Sequence, residues 1–180
     1  MLNKLLGGLI GFVAALFLLG YTLPDRTQFQ REIIVDAPVE DVYSLISDFH
    51  EWEAWSPWSE VDQPTENVAV EGGIGQQMIW HGGYPELAGS RHEIVALAAP
   101  GHVVTRLDLG PMGEADAAFS LSPLADGRTK VTWTYHAQKR ENVPFYLQPI
   151  ATYMGYLTTP LLSPTYEQGL ANLKRAAEAD

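Results

Sequence analysis

The stretch IIVDAPVEDVY, residues 33–43, changes from a strand pattern to a helix pattern within a few residues. Just before this stretch and at its beginning, the apolar residues Phe29, Ile33 and Val35 fall on one side of the chain and polar residues on the other. This period of two predicts a half-buried strand over residues 27–37. The proline and the acidic residues that follow are typical of a helix start. The next apolar residues recur at helical spacing and predict a helix with one buried stripe: Val39, Val42, Tyr43 and Ile46.

A second short helix is predicted to begin at Asp48, because Glu51 stands three residues later as in a capping box. The sequence Ser56-Pro57-Trp58 should end it. Trp52 and Trp55 are three residues apart on this helix, so both side chains can reach the same neighbouring surface. One interpretation of this pair is therefore simple packing of the helix onto a sheet.

The part of the chain from residue 66 to residue 138 consists of short apolar runs separated by glycine and proline turns, as in an antiparallel meander. The predicted strands are Asn67–Glu71, Gln76–His81, Ser90–Leu97, Val103–Leu109, Ala115–Ser122 and Thr129–Gln138. After an irregular, proline-rich approach, a last helix is predicted over Ser163–Ala177. Its apolar face is formed by Tyr166, Leu170, Leu173 and Ala177.

This order of elements predicts an α+β domain over residues 27–180. One strand, two short helices, six further strands and a long helix must bury several one-sided apolar faces. A single antiparallel sheet wrapped around the terminal helix is the simplest arrangement that buries all of them.

An uncharged apolar run of nineteen residues, Leu5–Leu23, precedes the domain. As a helix it would span about 28 Å, close to the hydrocarbon thickness of a bilayer. We interpret residues 1–24 as a retained single-pass transmembrane anchor. The alternative is a cleaved signal peptide, but the run is long and no A-x-A-like site follows it. The short positive tail around Lys4 gives a weak bias toward an extracytoplasmic domain.

Small residues recur every four positions in this run, at Gly7, Gly11 and Ala15. They would share one helix face, where small side chains let a second transmembrane helix approach closely. Glycine is also common in membrane helices in general. The spacing therefore leaves two interpretations open, a packing face for a membrane-protein partner or homodimer, and no specific role.

Composition excludes several classes of function. The net charge of −11 arises from 22 acidic against 11 basic residues, and no basic stripe exists that could follow a nucleic-acid backbone. The chain contains no cysteine, so disulfides and thiolate metal sites are impossible. The five histidines are scattered without metal-ligand spacing. No metal, no cofactor and no nucleic-acid partner is expected.

The segments quoted above resemble the START-like or SRPBCC superfamily, which has the helix-grip fold. The similarity is strongest over residues 33–43 and 48–58, and it continues in the segments 129–134 and 169–174. Within the superfamily the chain is similar to the bacterial polyketide cyclase/dehydrase-type branch, whose members often carry an N-terminal hydrophobic segment. With the anchor, this places the protein in the bacterial inner membrane, with its domain on the periplasmic side.

The resemblance implies a cavity between the sheet and the terminal helix that takes a hydrophobic small molecule or lipid. Tryptophan and tyrosine suit an amphiphilic ligand, since each offers a large apolar surface and one polar group. The alternative for each residue is ordinary core packing. The candidate lining residues are Trp55, Trp58, Trp80, Tyr84, Met112, Phe119, Trp133, Tyr135 and Leu170.

Three functions follow from these features. The first is a non-catalytic, membrane-anchored module that binds a lipid or another hydrophobic molecule. The second is an accessory subunit of a larger membrane complex, docked through the anchor and the acidic domain. The third is a cyclase or dehydratase acting on a small ketide, for which His81, Arg106, Asp108 and Glu114 are the ionisable residues that could point inward.

Overall fold

A computed structural model describes residues 2–23, 28–59, 66–68, 73–79, 89–108, 113–138 and 144–179. Helix α1 spans Leu2–Thr22, strand β1 spans Gln28–Val35 and helix α2 spans Val39–Ser47. A 3₁₀ helix, Glu51–Ala54, follows. The remaining strands are β2 (Glu66–Val68), β3 (Gln77–Ile79), β4 (Arg91–Ala98), β5 (His102–Asp108), β6 (Glu114–Pro123) and β7 (Thr129–Gln138). A second 3₁₀ helix, Phe145–Leu147, leads into helix α3, Gln148–Ala177.

The seven strands form one antiparallel sheet in the order β1-β7-β6-β5-β4-β3-β2. The chain therefore forms a meander from β2 to β7, and β1 closes the other edge by pairing with β7. This confirms the predicted α+β helix-grip architecture and the order of its elements. Strands β2 and β3 are described over three residues each, and the predicted extensions into residues 69–71 and 80–81 lie outside the described residues.

One face of the sheet is buried because its strands alternate in side-chain direction. On β6 the buried residues include Ala117, Phe119 and Leu121, and directly opposite them on β7 stand Tyr135, Trp133 and Val131. The terminal helix covers this face with Tyr166, Leu170, Leu173 and Ala177, all buried as predicted. The core thus lies between the central strands and the C-terminal half of α3.

The short helices close the other side of this core. Helix α2 buries Val39, Val42 and Ile46. The indole nitrogens of Trp52 and Trp55 donate hydrogen bonds of 2.9 and 2.8 Å to the carbonyls of Ile46 and Leu45. Both indoles therefore have partners in α2, which ties the 3₁₀ helix to α2.

The predicted capping box at Asp48 is wrong. The 3₁₀ helix begins after His50 and has no side-chain cap, and the Asp48 carboxylate instead accepts a hydrogen bond from the backbone N–H of His50 at 2.9 Å. Asp48 also accepts a bond of 2.7 Å from the side-chain amide of Gln76, a buried residue that precedes β3. The same carboxylate oxygen thus has a local partner, His50, and a tertiary partner, Gln76, and local spacing does not encode the second.

The predicted start of the terminal helix at Ser163 is also wrong, because α3 begins at Gln148. Pro149 stands in its first turn, where a missing N–H costs nothing, but Pro160 and Pro164 lie inside the helix. Both interior prolines are exposed. The C-terminal half of α3 packs on the sheet, while most of its N-terminal half projects without a sheet beneath it.

Helix α1 includes a stretch, Lys4–Thr22, that is long and apolar enough to cross a membrane, a property that an N-terminal signal sequence shares. The end of α1 packs on the start of α3. The Tyr21 hydroxyl donates to the carbonyl of Phe145 at 2.8 Å, and the Tyr153 hydroxyl donates to the carbonyl of Leu16 at 2.7 Å. The rings of Tyr21 and Phe145 stack with centroids 4.8 Å apart.

Candidate ligand-binding interior

The centre of the interior is a stack of three aromatic rings that bridges the sheet and α3. Phe119 and Trp133 are cross-strand neighbours, and their rings stack at 4.7 Å. On the other side, the ring of Trp133 lies 4.1 Å from the ring of Tyr166. All three side chains are fully buried. Strand alternation on β6 and β7 and the helical face of α3 bring them together, because each points into the same space.

The chain after α2 adds two more rings to this stack. Trp55 meets Trp133 edge to face at 5.8 Å, and Trp58 meets both Trp133 and Tyr166 at 5.8 and 5.7 Å. Trp58 is half-buried, whereas Trp55 is buried. We call the five rings of Trp55, Trp58, Phe119, Trp133 and Tyr166 the aromatic cluster.

The first strand contributes the neighbouring side of the interior. The half-buried ring of Phe29 stacks on Tyr135 at 5.2 Å and meets Tyr166 edge to face at 4.9 Å. Arg31, which is opposite Trp133 in the register, bridges the edge strand and α3. Its guanidinium donates to the Glu167 carboxylate at 2.7 Å and to the Ser163 hydroxyl.

The structure brings together six of the nine predicted lining residues. Trp55, Trp58, Phe119, Trp133, Tyr135 and Leu170 share one core, while Trp80, Tyr84 and Met112 lie outside the described residues. Tyr166 and Phe29 belong to the same interior and were missed as lining residues. Tyr166 could have been found because it precedes Leu170 by four residues on the same helix face.

One polar atom of the cluster has no partner. The indole Nε1 of Trp133 is buried and makes no hydrogen bond in the described part of the chain. A buried donor without an acceptor costs about 1–3 kcal/mol. The indoles of Trp52 and Trp55 have backbone acceptors, so Trp133 differs from them in having no acceptor among the described residues.

The ionisable groups of the interior are held in their neutral forms. Burial raises the pKa of Tyr166, and the nearby Tyr135 adds to the effect. Burial likewise raises the pKa of Tyr135. His92 on β4 contacts the rings of Phe49 and Trp52, and its Nε2 lies 2.7 Å from the Thr105 hydroxyl. Burial lowers the pKa of His92 to about 3.

Three of the four ionisable residues considered for catalysis are described, and these three do not converge in the interior. Arg106 is exposed and pairs with Asp116 at 2.9 Å, Asp108 is half-exposed 3.7 Å from Arg91, and Glu114 is exposed. His81 lies outside the described residues. Within the described ranges, no group of three or more histidine, aspartate or glutamate side chains could hold a metal ion.

The predicted packing face of α1 is exposed along its length. Nothing lies within 4 Å of a Cβ built on Gly7 or Gly11, and Ala15 is exposed. Among the glycines described for α1, Gly20 allows a close helix contact, since a Cβ there would stand 2.5 Å from Cβ of Pro149. A contact of the Gly7, Gly11 and Ala15 face with another helix stays a prediction.

Comparison with known proteins places this architecture in a family. The family model described as polyketide cyclase / dehydrase and lipid transport matches residues 26–178, which is nearly all of the chain beyond α1. The chain belongs to this family. The predicted START-like relationship is thereby confirmed, and the fold is one that binds hydrophobic ligands. No curated protein matches the sequence.

Solved structures agree on the fold. A protein from Nitrosospira multiformis is 21% identical, with a TM-score of 0.58 over 82% of this chain and 94% of that one. A START superfamily protein from Mycobacterium smegmatis is 17% identical, with a TM-score of 0.58 over 84% and 97%. The di-domain ARO/CYC protein of the steffimycin biosynthetic pathway is 16% identical, with a TM-score of 0.58 over 86% of this chain and 51% of that one.

Proposed function

We propose that this family member is a membrane-anchored module that binds a lipid or another hydrophobic molecule between the sheet and α3, without catalysing a reaction. The observation that carries the proposal is the aromatic cluster with the unpartnered Nε1 of Trp133 at its centre. An apolar interior with one available donor suits a molecule that is mostly apolar and has one hydrogen-bond acceptor.

The contact between α1 and α3 supports a retained anchor over a cleaved signal peptide. Gly20 fits against Pro149, and two tyrosine hydroxyls, of Tyr21 and Tyr153, bond across the two helices. Removal of α1 would expose further apolar surface on α3 and would leave the Tyr153 hydroxyl without its acceptor. A leader that is cleaved has no need of such a fitted surface.

The protonation states of the interior support binding without catalysis. A general acid or base works best when its pKa lies near the working pH. His92 stays neutral with a pKa of about 3, and the raised pKa values of Tyr135 and Tyr166 keep both hydroxyls protonated. These buried groups can hold and orient a ligand, but they are poorly matched to proton transfer near pH 7.

The test uses the full-length protein extracted from membranes in a mild detergent. We expect native mass spectrometry to detect an apolar molecule bound to the protein, and its displacement to change the tryptophan fluorescence. Trp133→Phe should weaken binding about tenfold, because it removes one hydrogen bond of about 1–1.5 kcal/mol. Trp55→Phe is the matched control, since it removes a similar volume but an indole whose N–H is already bonded to Leu45.

Two results would contradict the proposal. One is a protein that carries no apolar molecule and whose fluorescence does not respond to added lipids. The other is equal weakening by Trp133→Phe and Trp55→Phe, which would mean that ring volume alone matters and that the free donor plays no part.

A role as an accessory subunit is a second candidate, favoured by the open face of Gly7, Gly11 and Ala15 on α1. Crosslinking in intact membranes, compared between the natural chain and Gly11→Leu, tests it. Loss of a specific crosslinked species in the variant would support the role, and a monomer in both samples would count against it.

A further inference from the structure

A second apolar surface lies next to α1, on residues 145–161, which comprise the 3₁₀ helix before α3 and the N-terminal half of α3. Outside α1, nine large hydrophobic side chains are exposed in the described part of the chain, and seven of them lie in this segment. The seven are Phe145, Tyr146, Leu147, Ile150, Tyr156, Leu157 and Leu161. Exposure of this kind, concentrated in one segment, marks an interaction surface.

The exposed aliphatic residues share one helix face. Leu147, Ile150, Leu157 and Leu161 are separated by three, seven and four residues, a spacing that aligns side chains along a helix. The side chains of Leu157 and Leu161 are 65% and 75% exposed, although the C-terminal half of the same helix is packed on the sheet. The row extends over about 21 Å at 1.5 Å per residue.

The segment is also uncharged and rich in tyrosine. No charged residue occurs from Pro144 to Tyr166, and the first one is Glu167, which pairs with Arg31 at the sheet edge. Tyr146, Tyr153 and Tyr156 lie within it. Aromatic residues with a polar tip are enriched where a membrane meets water, whereas a surface that faces water alone would carry charges.

The segment begins where α1 ends. Phe145 stacks on Tyr21 at 4.8 Å, and Pro149 packs on Gly20. Tyr21 and Gly20 belong to the last turn of the apolar helix, so the exposed surfaces of α1 and of the segment form one continuous apolar area. Whatever surrounds the end of α1 therefore also surrounds the start of α3.

We propose that residues 145–161 lie in the lipid of the bilayer, at the interface where α1 leaves it, and form a second membrane-bound element. This inference rests on the proposed anchor and goes beyond it, because it places part of the domain's own helix α3 in the bilayer. Lipid is the occupant that the contact with α1 favours, since the segment adjoins the end of the apolar helix and carries no charged group that would have to leave water. The contact between the segment and α1 also keeps the segment at the membrane.

The absence of cysteine allows a direct test, because single-cysteine variants of the full chain can be labelled without background. Leu157→Cys and Leu161→Cys carry an environment-sensitive fluorophore, and the protein is reconstituted into vesicles with brominated lipids, which quench only labels in contact with lipid. Leu9→Cys in α1 and Ile74→Cys on the domain are the controls, chosen because all four side chains are exposed.

We expect the labels at positions 157 and 161 to be quenched and blue-shifted like the label at position 9, while the label at position 74 is unchanged. Quenching at position 9 alone would overturn the second element and leave the anchor in place. No quenching at position 9 would reject the anchor itself. Labels at 157 and 161 that are shielded from both brominated lipid and aqueous iodide would mean that a protein covers the segment, which also overturns the proposal.

Discussion

Gly169 of α3 lies against the indole of Trp133 so closely that a Cβ at this position would stand 2.8 Å from Cζ3 of the ring. The same Cβ would be 2.9 Å from Cδ of Pro57, so two rigid rings limit the space from two directions. The absence of a side chain at one helix position therefore sets how near α3 comes to the sheet, and with it how tightly the aromatic cluster is packed.

Gly169→Ala should destabilise the fold even though alanine is the better helix former. The helix gains about 1 kcal/mol in propensity, but overpacking against rings that cannot yield costs about 1–3 kcal/mol. We expect a net loss of about 1 kcal/mol in the free energy of unfolding, measured by urea titration in detergent. In a Trp133→Phe background the loss should shrink, because the smaller ring lacks the atom that clashes. An unchanged loss there would show that the ring contact is not its cause.

His92 should make stability depend on pH in mild acid. Its pKa is lowered by burial from 6.5 to about 3, so the unfolded chain binds a proton that the folded chain does not. The contribution of neutral His92 is complete above pH 6.5 and is lost as the pH falls, at about 1.4 kcal/mol per pH unit. In His92→Gln the free energy of unfolding should decrease less steeply as the pH falls from 6.5 to 4.5. Most carboxylates titrate below this pH range.

The matched control for this experiment is His102→Gln, which changes a histidine that is exposed at the start of β5. It should leave the slope as in the natural chain. Equal slopes in His92→Gln and the natural chain would mean that the buried imidazole is not the group that titrates.

Of the two contacts that Arg31 makes with α3, the one with Ser163 should contribute more to the free energy of unfolding than the one with Glu167. The Glu167 carboxylate is largely exposed, so Glu167→Gln should cost less than about 0.5 kcal/mol. Arg31→Ala should cost about 1–2 kcal/mol, because it also removes the bond to the buried Ser163 hydroxyl and the contact with Phe29. Urea unfolding at low and high salt separates the two parts, since only the ion pair is screened. Equal costs for both variants would refute this division.

Gly20→Val should separate α1 from α3. A Cβ at this position would stand 2.5 Å from Cβ and 2.9 Å from Cα of Pro149, and the backbone atom cannot move aside without shifting the helix. Hydrogen exchange of the amides in residues 145–153 should be faster in this variant. Gly11→Val is the control, because nothing lies within 4 Å of its Cβ. Equal exchange in both variants would mean that the close fit at Gly20 does not hold the two helices together.

The amino-acid sequence was sufficient to predict the order of elements, the antiparallel sheet and the buried face of the last helix. Each of these depends on periodicity along the chain, and alternation on β6 and β7 or helical spacing from Tyr166 to Ala177 is local information. The sequence was not sufficient to predict that α3 begins at Gln148. The proline pattern favoured an irregular approach, but the helix continues through both interior prolines, which are exposed.

For the candidate site, too, the sequence predicted one part and only the tertiary structure decided the other. Hydrophobic character and the family resemblance selected six side chains that share one core, yet no pattern along the chain distinguishes Trp133 from Trp55. Only the tertiary structure decides that the indole of Trp55 has a backbone acceptor while the indole of Trp133 has none among the described residues, because the acceptor of Trp55 lies ten residues away on another helix. The apolar run of residues 5–23 was likewise evident from composition. Its contact with α3 depends on the fit of Gly20 against Pro149, which brings together two surfaces far apart in the chain.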